Sequence, residues 1–412
     1  MKYGLIGQKL PHSFSKTIHE SIGGYEYELI ELEPDEVELF LRRKDFCAVN
    51  VTIPYKQTVI PFLDKISEEA KAIGAVNTIV NRGGRLFGYN TDTAGMSELI
   101  FKNGIDFSGR NVMILGSGGT SKTAAFTAEK LGAAGIIKVS RKCLPDAITY
   151  DDIWTYAQET DILINTTPVG MYPGLFDKPL ELEGFDRLYA VIDVIYNPLR
   201  TLLLQDAKAR GIICAGGLYM LVSQAVHAYS LFTGKDTDTD LSEKIYRMLL
   251  SEKENIVLTG MPGSGKTTVG RLLAEKTGKE LIDTDELIIK RTGSDIPALF
   301  DRLGEAGFRR IEKDIIKDLS SLTGKIISTG GGSILDADNI RALKLNGRIC
   351  YLKRPLELIV PTKDRPLSSD VRALKQRYAE RKEIYENTAD ITISNTGTPL
   401  EATEAILKGS LK

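Results

Sequence analysis

The sequence has no uninterrupted apolar run of about 18 residues, so no segment reads as a membrane span. Histidine is scarce, with three in 412 residues, which argues against a His-rich metal centre. The four cysteines (Cys47, Cys143, Cys214, Cys350) lie far apart and form no C-x-x-C. Buried free thiols in a reducing cytosol are the expectation. Excess charge is also lacking. A formal net charge of −2 gives no electrostatic case for nucleic acid or an anionic membrane as partner. The opening Met1–Gly7 stretch lacks the long apolar core of a secretory leader, and a cytoplasmic place is expected. A chain of 412 residues, 42% hydrophobic, is long enough for two or three globular domains.

The strongest positive signal is Asn255 to Thr268, NIVLTGMPGSGKTT. An apolar strand-like run, Ile256-Val257-Leu258, opens into a G-x-x-x-x-G-K-[ST] pattern. A helical run, Val269 to Lys276, follows. This is the context of a phosphate-binding loop. Glycines let backbone N–H groups curl around phosphate oxygens, and the helix N-terminus adds its positive end. Gly263, Ser264, Gly265, Lys266, Thr267 and Thr268 are the candidate ATP contacts. Lys266 can reach the outer phosphates and the Thr267 hydroxyl can ligate Mg²⁺.

About 250 residues precede this loop and carry a different kind of site. Tyr3–Gly7 is a candidate strand, and Ser13 and Ser15 stand in the polar loop beyond it. Small hydroxyls there suit a polyol or a carboxylate, or simply cap a helix. The strand-like run Ala48 to Ile53 ends at Pro54 and projects Lys56, where open α/β sheets place ligands. Two further strand ends, Ala75-Val76-Asn77-Thr78 and Gly88-Tyr89-Asn90-Thr91-Asp92, supply small polar residues. Asp92 beside Lys56 could hold the amine charged, and such a pair can move a proton to or from a substrate oxygen. A structural ion pair is the competing reading.

From Asp92 the pattern becomes a nucleotide-binding unit. Asn111–Leu115 is a buried strand, Gly116-Ser117-Gly118-Gly119-Thr120-Ser121 a turn, and Lys122 to Leu131 a helix. Ser121 replaces the third glycine of G-x-G-x-x-G and is still small enough for close helix–strand packing. After the strand Gly135 to Val139 comes Ser140-Arg141-Lys142. An NAD site would offer an acid here, whereas these cations suit a 2′-phosphate, so NADP(H) is favoured. The strand ends at Asn165–Met171 and at Asp193–Pro198 place polar groups where a nicotinamide would lie. Gly217 opens a helix that carries Gln224.

These segments resemble shikimate dehydrogenase over residues 1 to about 250. The matches, in order, are NVTIPYK, AVNT, YNTD, GSGGTSK, NTTPVGM, D-x-x-Y-x-P from Asp193 and G-x-x-M-L-x-x-Q-A from Gly217. The resemblance implies NADPH-dependent reduction of 3-dehydroshikimate to shikimate, without a metal. It implies Lys56 and Asp92 as the catalytic pair. Substrate contacts would come from Ser13, Ser15, Thr52, Asn77, Asp92, Tyr196 and Gln224. Cofactor contacts would come from Gly116, Ser117, Gly118, Gly119, Thr120, Ser140, Arg141, Lys142 and Gly217. Lys16 stands where the family usually has Pro, and Glu20 where it often has Asn.

Leu241 to Leu250 reads as an amphipathic helix, and Ser251–Glu254 as the only spacer before the phosphate loop's strand. Beyond that loop, a strand ends in Asp283-Thr284-Asp285, whose carboxylates can serve Mg²⁺ and an acceptor hydroxyl. Gly304–Glu312 offers Arg309, Ile326–Gly332 runs into three glycines, and Arg365 and Arg381 follow. Arginines near a phosphate site suit a transferring phosphoryl group and an acidic acceptor. This region, about 253 to 412, resembles shikimate kinase through GMPGSGKTT, DTD, GFRR-x-E, TGGGS, RPL and the R-x-x-x-Y of Arg381 and Tyr385. The resemblance implies phosphorylation of the shikimate 3-hydroxyl by MgATP. Asp285 would serve the hydroxyl, Arg309, Gly331 and Arg381 the acid, Thr267 and Asp283 the Mg²⁺, and Arg365 the lid. The lid stretch Val360–Arg365 is shorter than usual, with Pro361-Thr362 where the family usually has Arg-Thr.

The expected fold is α/β throughout: a two-lobed dehydrogenase with an NADP-binding Rossmann lobe, then a three-layer P-loop domain like the nucleoside-monophosphate kinases. Residues 1–92 plus 213–250 form the expected substrate lobe, 93–212 the Rossmann lobe and 251–412 the kinase domain. The expected partners are small molecules only. One rival exchanges quinate for shikimate in the first half. The other keeps the dehydrogenase but makes the second half a nucleotide-binding domain without kinase activity.

Overall fold

The computed structural model describes residues 2–10, 14–238, 240–359 and 371–409. The chain divides into two compact units, Met1–Leu249 and Leu250–Lys412.

The first unit holds two sheets. In one, β1 (Tyr3–Gly7), β2 (Tyr27–Glu31), β3 (Ala48–Val51), β4 (Lys65–Ile66), β5 (Thr78–Arg82) and β6 (Arg85–Tyr89) are ordered β2-β1-β3-β5-β6-β4. Strands β2, β1 and β3 run parallel, while β5 is antiparallel to both β3 and β6. The register sets Asn50 beside Thr78 and Thr78 beside Tyr89. The residues just after β3, just before β5 and just after β6 therefore emerge at the same end of the sheet. The three polar strand ends that hold Lys56, Asn77 and Asp92 are gathered there for that reason.

The second sheet is wholly parallel: β7 (Asn111–Leu115), β8 (Gly135–Val139), β9 (Ile162–Asn165), β10 (Ala190–Asp193) and β11 (Ile213–Gly216), ordered β11-β10-β9-β7-β8. Its residues alternate between two cores, as period-two side chains must. Val112, Ile114, Ile162, Ile164 and Ile192 pack with Met96, Leu99 and Ala124 on one face. Met113, Leu115, Leu163 and Val191 pack with Ile153, Leu203 and Leu204 on the other. Both faces are covered, which is why these strands are apolar without interruption. Strand β11 pairs with β10, so this lobe runs to Gly216, past the boundary expected at 212. The return to the first lobe starts with the helix Leu218–Thr233, which crosses the helix Asp92–Lys102 closely. A Cβ on Gly95 would lie 2.6 Å from the Met220 carbonyl oxygen.

The second unit has one parallel sheet: β12 (Asn255–Thr259), β13 (Glu280–Asp283), β14 (Lys325–Ser328), β15 (Gly347–Lys353) and β16 (Ile391–Ser394), ordered β13-β14-β12-β15-β16. Apolar layers cover both faces. Val257, Ile327 and Ile349 meet Phe308, Ile315 and Ile316. Leu258, Ile326 and Leu352 meet Val269, Leu273 and Ile406. This is a three-layer α/β arrangement.

The helix expected over Leu241–Leu250 runs on to Lys253, so the expected spacer Ser251–Glu254 shrinks to Glu254. Good helix formers at Glu252 and Lys253 extend it. Among the described residues, no helix is long and apolar enough to cross a membrane.

Candidate active sites

In the first unit, the turn after β3 is closed by Tyr55 N donating to Thr52 O at 2.9 Å, and it carries Lys56 inward. Asp92 is the first residue of the helix Asp92–Lys102 and is buried. Lys56 Nζ donates to Asp92 Oδ2 at 2.5 Å. The other oxygen, Oδ1, accepts from Asn77 Nδ2 at 2.8 Å. Asn77 is held in turn, because its Oδ1 accepts from Thr91 N at 2.8 Å. Thr91 Oγ1 reaches Gln224 Oε1 at 3.4 Å. Lys56, Asn77, Thr91, Asp92 and Gln224 thus form one connected polar set in a buried setting. Thr91 joins Asn77 to Gln224, and its signal in the sequence is the polar triplet Asn90-Thr91-Asp92. Ser15 is buried in the first turn of the helix Ser15–Gly23. Tyr196 comes from the second lobe, its ring 5.3 Å from that of Phe14 beside Ser15. Burial raises the Tyr196 phenol above its usual range, so it is a neutral hydroxyl. Thr52 is half-buried at the end of β3. Ser13 lies outside the described residues.

This set faces the nucleotide turn of the second lobe: Lys56 Cδ is 3.7 Å from where a Cβ on Gly119 would stand. The turn leaves β7 through Gly116, whose φ of 115° and proximity to Thr166 Oγ1 admit only glycine. The helix starts at Gly119, three residues earlier than the sequence suggests. Gly119, Thr120 and Ser121 are therefore its first turn, whose N–H groups have no intrahelical acceptor and are free for an anion. Ser121 Oγ donates to Gly116 O at 2.7 Å and ties the turn to the helix. Ser117 and Gly118 are exposed. At the end of β8, buried Ser140 Oγ accepts from Lys142 N at 3.1 Å, leaving Arg141 and Lys142 exposed on the neighbouring strand end. A helix N-terminus for the pyrophosphate and two cations for a 2′-phosphate fit NADP. Gly217 precedes the helix Leu218–Thr233 and presses on β10's end, where a Cβ would stand 2.0 Å from Val194 O.

In the second unit, Gly260, Gly263 and Gly265 have φ of 148°, 82° and 91°. These angles curl the loop after β12 in a way a side chain would oppose. Lys266 begins the helix Lys266–Thr277, again three residues before the expected start. Its Nζ donates to Gly260 O at 2.9 Å and Met261 O at 3.1 Å, so it lies across the loop's mouth. Ser264 Oγ is buried without a hydrogen-bond partner among the described residues, and Thr268 is exposed. Thr267 Oγ1 donates to Asp283 Oδ2 at 3.0 Å. A hydroxyl and a carboxylate in contact at the loop fit Mg²⁺, which keeps waters and phosphate oxygens for its other positions. The loop's cradle fits the phosphates of ATP.

Asp283 also caps the helix Thr284–Thr292, accepting from Asp285 N at 3.0 Å. Asp285 is therefore on a helical first turn. A Cβ on Gly330 would meet Glu312 Oε1 at 2.8 Å, Asp285 Oδ1 at 3.0 Å and Ser333 Oγ at 3.2 Å. Fully buried Glu312 accepts from Ser333 Oγ at 2.6 Å and from Arg309 Nη1 at 2.7 Å. Arg309 also bonds Glu305 at 3.2 Å. Burial works against the Arg309 charge, but Glu312 and Glu305 outweigh it and raise its pKa. Arg381 Nη1 and Tyr385 OH both donate to Gly331 O, at 3.0 and 2.5 Å. Gly331 packs on Pro262 of the phosphate loop. The structure thus brings Asp285, Arg309, Gly331 and Arg381 together beside the phosphate loop. Glu312 and Tyr385, seen in the sequence only as motif letters, are the groups that orient the two arginines. Arg365 and the stretch 360–365 lie outside the described residues.

The two sites and their sheets define a two-lobed NADP-linked oxidoreductase and a P-loop phosphotransferase on one chain. Residues 5–79 match the family model of the shikimate dehydrogenase substrate binding domain, and residues 262–409 match that of shikimate kinase. A shikimate dehydrogenase (NADP(+)) of Clostridium beijerinckii is 38% identical over 267 residues, 61% of this chain and 98% of that protein. The crystal structure of shikimate dehydrogenase 1 from Peptoclostridium difficile superposes with a TM-score of 0.56 at 35% identity, covering 60% of this chain and 97% of that one. A chorismate mutase/shikimate 5-dehydrogenase fusion protein from Clostridium acetobutylicum gives 0.57 at 32% identity, covering 60% and 96%. The chain belongs to the shikimate dehydrogenase family through its first unit and carries a shikimate kinase domain as its second.

Proposed function

We propose that the chain performs two consecutive reactions: reduction of 3-dehydroshikimate to shikimate with NADPH, then phosphorylation of shikimate to shikimate 3-phosphate with MgATP. The observation that carries the first step is the Lys56–Asp92 pair, held by Asn77 and facing the Gly119 helix start. NADPH supplies the hydride to the carbonyl carbon. Lys56 Nζ gives a proton to the carbonyl oxygen as it becomes the hydroxyl, and Asp92 keeps the amine oriented. Ser15, Thr52, Asn77, Tyr196 and Gln224 surround this point with groups able to bind hydroxyls and a carboxylate.

For the second step, MgATP supplies the phosphoryl group. Lys266 and the loop N–H groups bind its outer phosphates, with Thr267 and Asp283 towards the metal. Asp285 takes the proton of the attacking hydroxyl, and Arg309 and Arg381 hold the acid. The reading of this unit as a nucleotide-binding domain without activity is not favoured, since Lys266, Asp285, Arg309 and Arg381 stand together. All four cysteines are free thiols, which supports a cytoplasmic setting, but Cys47 and Cys143 are exposed and not buried as expected.

The test is ADP release from the full chain given 3-dehydroshikimate and MgATP, with and without NADPH. ADP appearing only with NADPH establishes both activities and their order. NADPH consumption without ADP would overturn the kinase reading.

A further inference from the structure

Arg377 lies on the helix Val371–Thr388, one turn before Arg381. Together with Glu305, Leu335, Gln376, Glu380 and Arg381 it lines a cavity of about 320 Å³. Arg381, which lines the same cavity, and Arg309, whose charge acts on Arg377, are both engaged. Arg309 has two carboxylate partners, and Arg381 has the Gly331 carbonyl. Arg377 Nη1 is buried and has no hydrogen-bond partner among the described residues. A buried guanidinium donor without an acceptor is costly, and an anion entering the cavity would satisfy it. Burial and Arg381 both disfavour the charge of Arg377, Arg309 adds to this, and Glu305 and Glu380 act in the other direction. Glu305 bonds Arg309 and Glu380 bonds Gln376, so neither supplies the acceptor that Arg377 Nη1 lacks among the described residues, and a bound anion would.

We propose that Arg377 is a specificity-determining residue of the kinase unit, giving the carboxylate of the acceptor a guanidinium contact of its own beside Arg309 and Arg381. This rests on the reading of the second unit as a kinase for an acidic polyol. The carboxylate is favoured over the nucleotide's phosphates by position. Arg381 is the arginine linked to the phosphate loop, through Gly331 and Pro262, and Arg377 stands one helical turn from it. Among the described residues, the charged groups that act most on Arg377 are Arg381, Glu305, Glu380 and Arg309. A guanidinium fork takes a carboxylate through two parallel bonds, which a lysine cannot reproduce.

The experiment uses the full chain and compares Arg377→Gln and Arg377→Lys with the unaltered enzyme. Acceptors are shikimate and its carboxamide, which has the same ring hydroxyls and no anion. Arg377→Gln is expected to raise KM for shikimate about tenfold or more, with kcat and KM for ATP within about twofold. KM for the carboxamide should stay unchanged, and Arg377→Lys should recover part of the loss. A KM for shikimate within about twofold of the unaltered enzyme would overturn the proposal. So would equal shifts for acid and carboxamide, the mark of a merely structural role. If Arg377→Gln does not fold, Arg377→Leu keeps the apolar stem and the same comparison is read. Failure of the kinase reading itself would appear earlier, as no phosphorylation of shikimate by the unaltered enzyme.

Discussion

Lys56 Nζ and Asp92 Oδ2 stand 2.5 Å apart, although one follows a strand and the other begins a helix 36 residues on. The sheet register explains the meeting, since the end of β3 and the end of β6 flank the start of β5. Replacing Lys56 by Met should cut kcat for reduction by about a hundredfold or more, the usual loss for a positioned proton donor. KM for NADPH should change little, and phosphorylation of added shikimate should be untouched. Both steps assayed on one preparation give the answer. Parallel loss of both activities would contradict the assignment of Lys56 to the first site.

Cofactor choice is expected to sit in two exposed side chains. Ser140 folds the turn so that Arg141 and Lys142 point outward beside the nucleotide turn. The double change Arg141→Ala and Lys142→Ala should raise KM for NADPH by about tenfold to a hundredfold, since each charge-assisted bond to a phosphate is lost. KM for NADH should stay within about twofold. Equal weakening of both cofactors would place the 2′-phosphate elsewhere.

Two glycines should respond to alanine in opposite ways. A Cβ on Gly332 would stand 2.2 Å from Arg309 Nη2, the far end of a flexible side chain. Gly332→Ala should therefore fold but displace the guanidinium and raise KM for shikimate in the kinase step about tenfold. A Cβ on Gly217 would stand 2.0 Å from the Val194 carbonyl oxygen, which is backbone and cannot step aside. Gly217→Ala should destabilise the first unit by about 2 kcal/mol or more, the scale of overpacking. Thermal unfolding together with kinase KM values separates the two effects.

Much of this was legible in the sequence, for physical reasons. Strands such as Tyr3–Gly7, Asn111–Leu115 and Gly135–Val139 have the bounds their apolar runs suggest, because glycine or polar residues close them. At both nucleotide turns the helix begins three residues before its composition suggests. Gly119–Ser121 and Lys266–Thr268 look like loop in composition, but a first helical turn needs no acceptor for its N–H groups and tolerates such residues. The pairing of Arg309 with Glu312 follows from their spacing of three on a helix. The unpaired donor of Arg377 could not be read this way. On sequence alone it is one more basic residue on a polar helix, and only its surroundings in the structure show that Nη1 lacks an acceptor among the described residues.

Buried Asp193, at the end of β10, gives the first unit a pH signature. Burial pushes its carboxyl up from 3.8 to about 6, against hydrogen bonds from Thr201, Ile195 and Asn165 that favour the anion. Between about pH 4 and 6 the folded chain still holds this proton while the unfolded chain has released it. The contribution to stability is therefore greatest below that window, falls as pH rises through it and is flat above about 6. Its size is at most roughly 3 kcal/mol. Urea unfolding followed by fluorescence reports this unit alone, because the chain's single tryptophan is Trp154, packed edge-on against Phe185 of the same core as β10. Asp193→Asn cannot titrate, so the stability of the natural chain relative to this variant should decline from pH 4.5 to pH 7. A difference that stays constant, or grows with pH, would mean that Asp193 is ionised in the folded protein throughout.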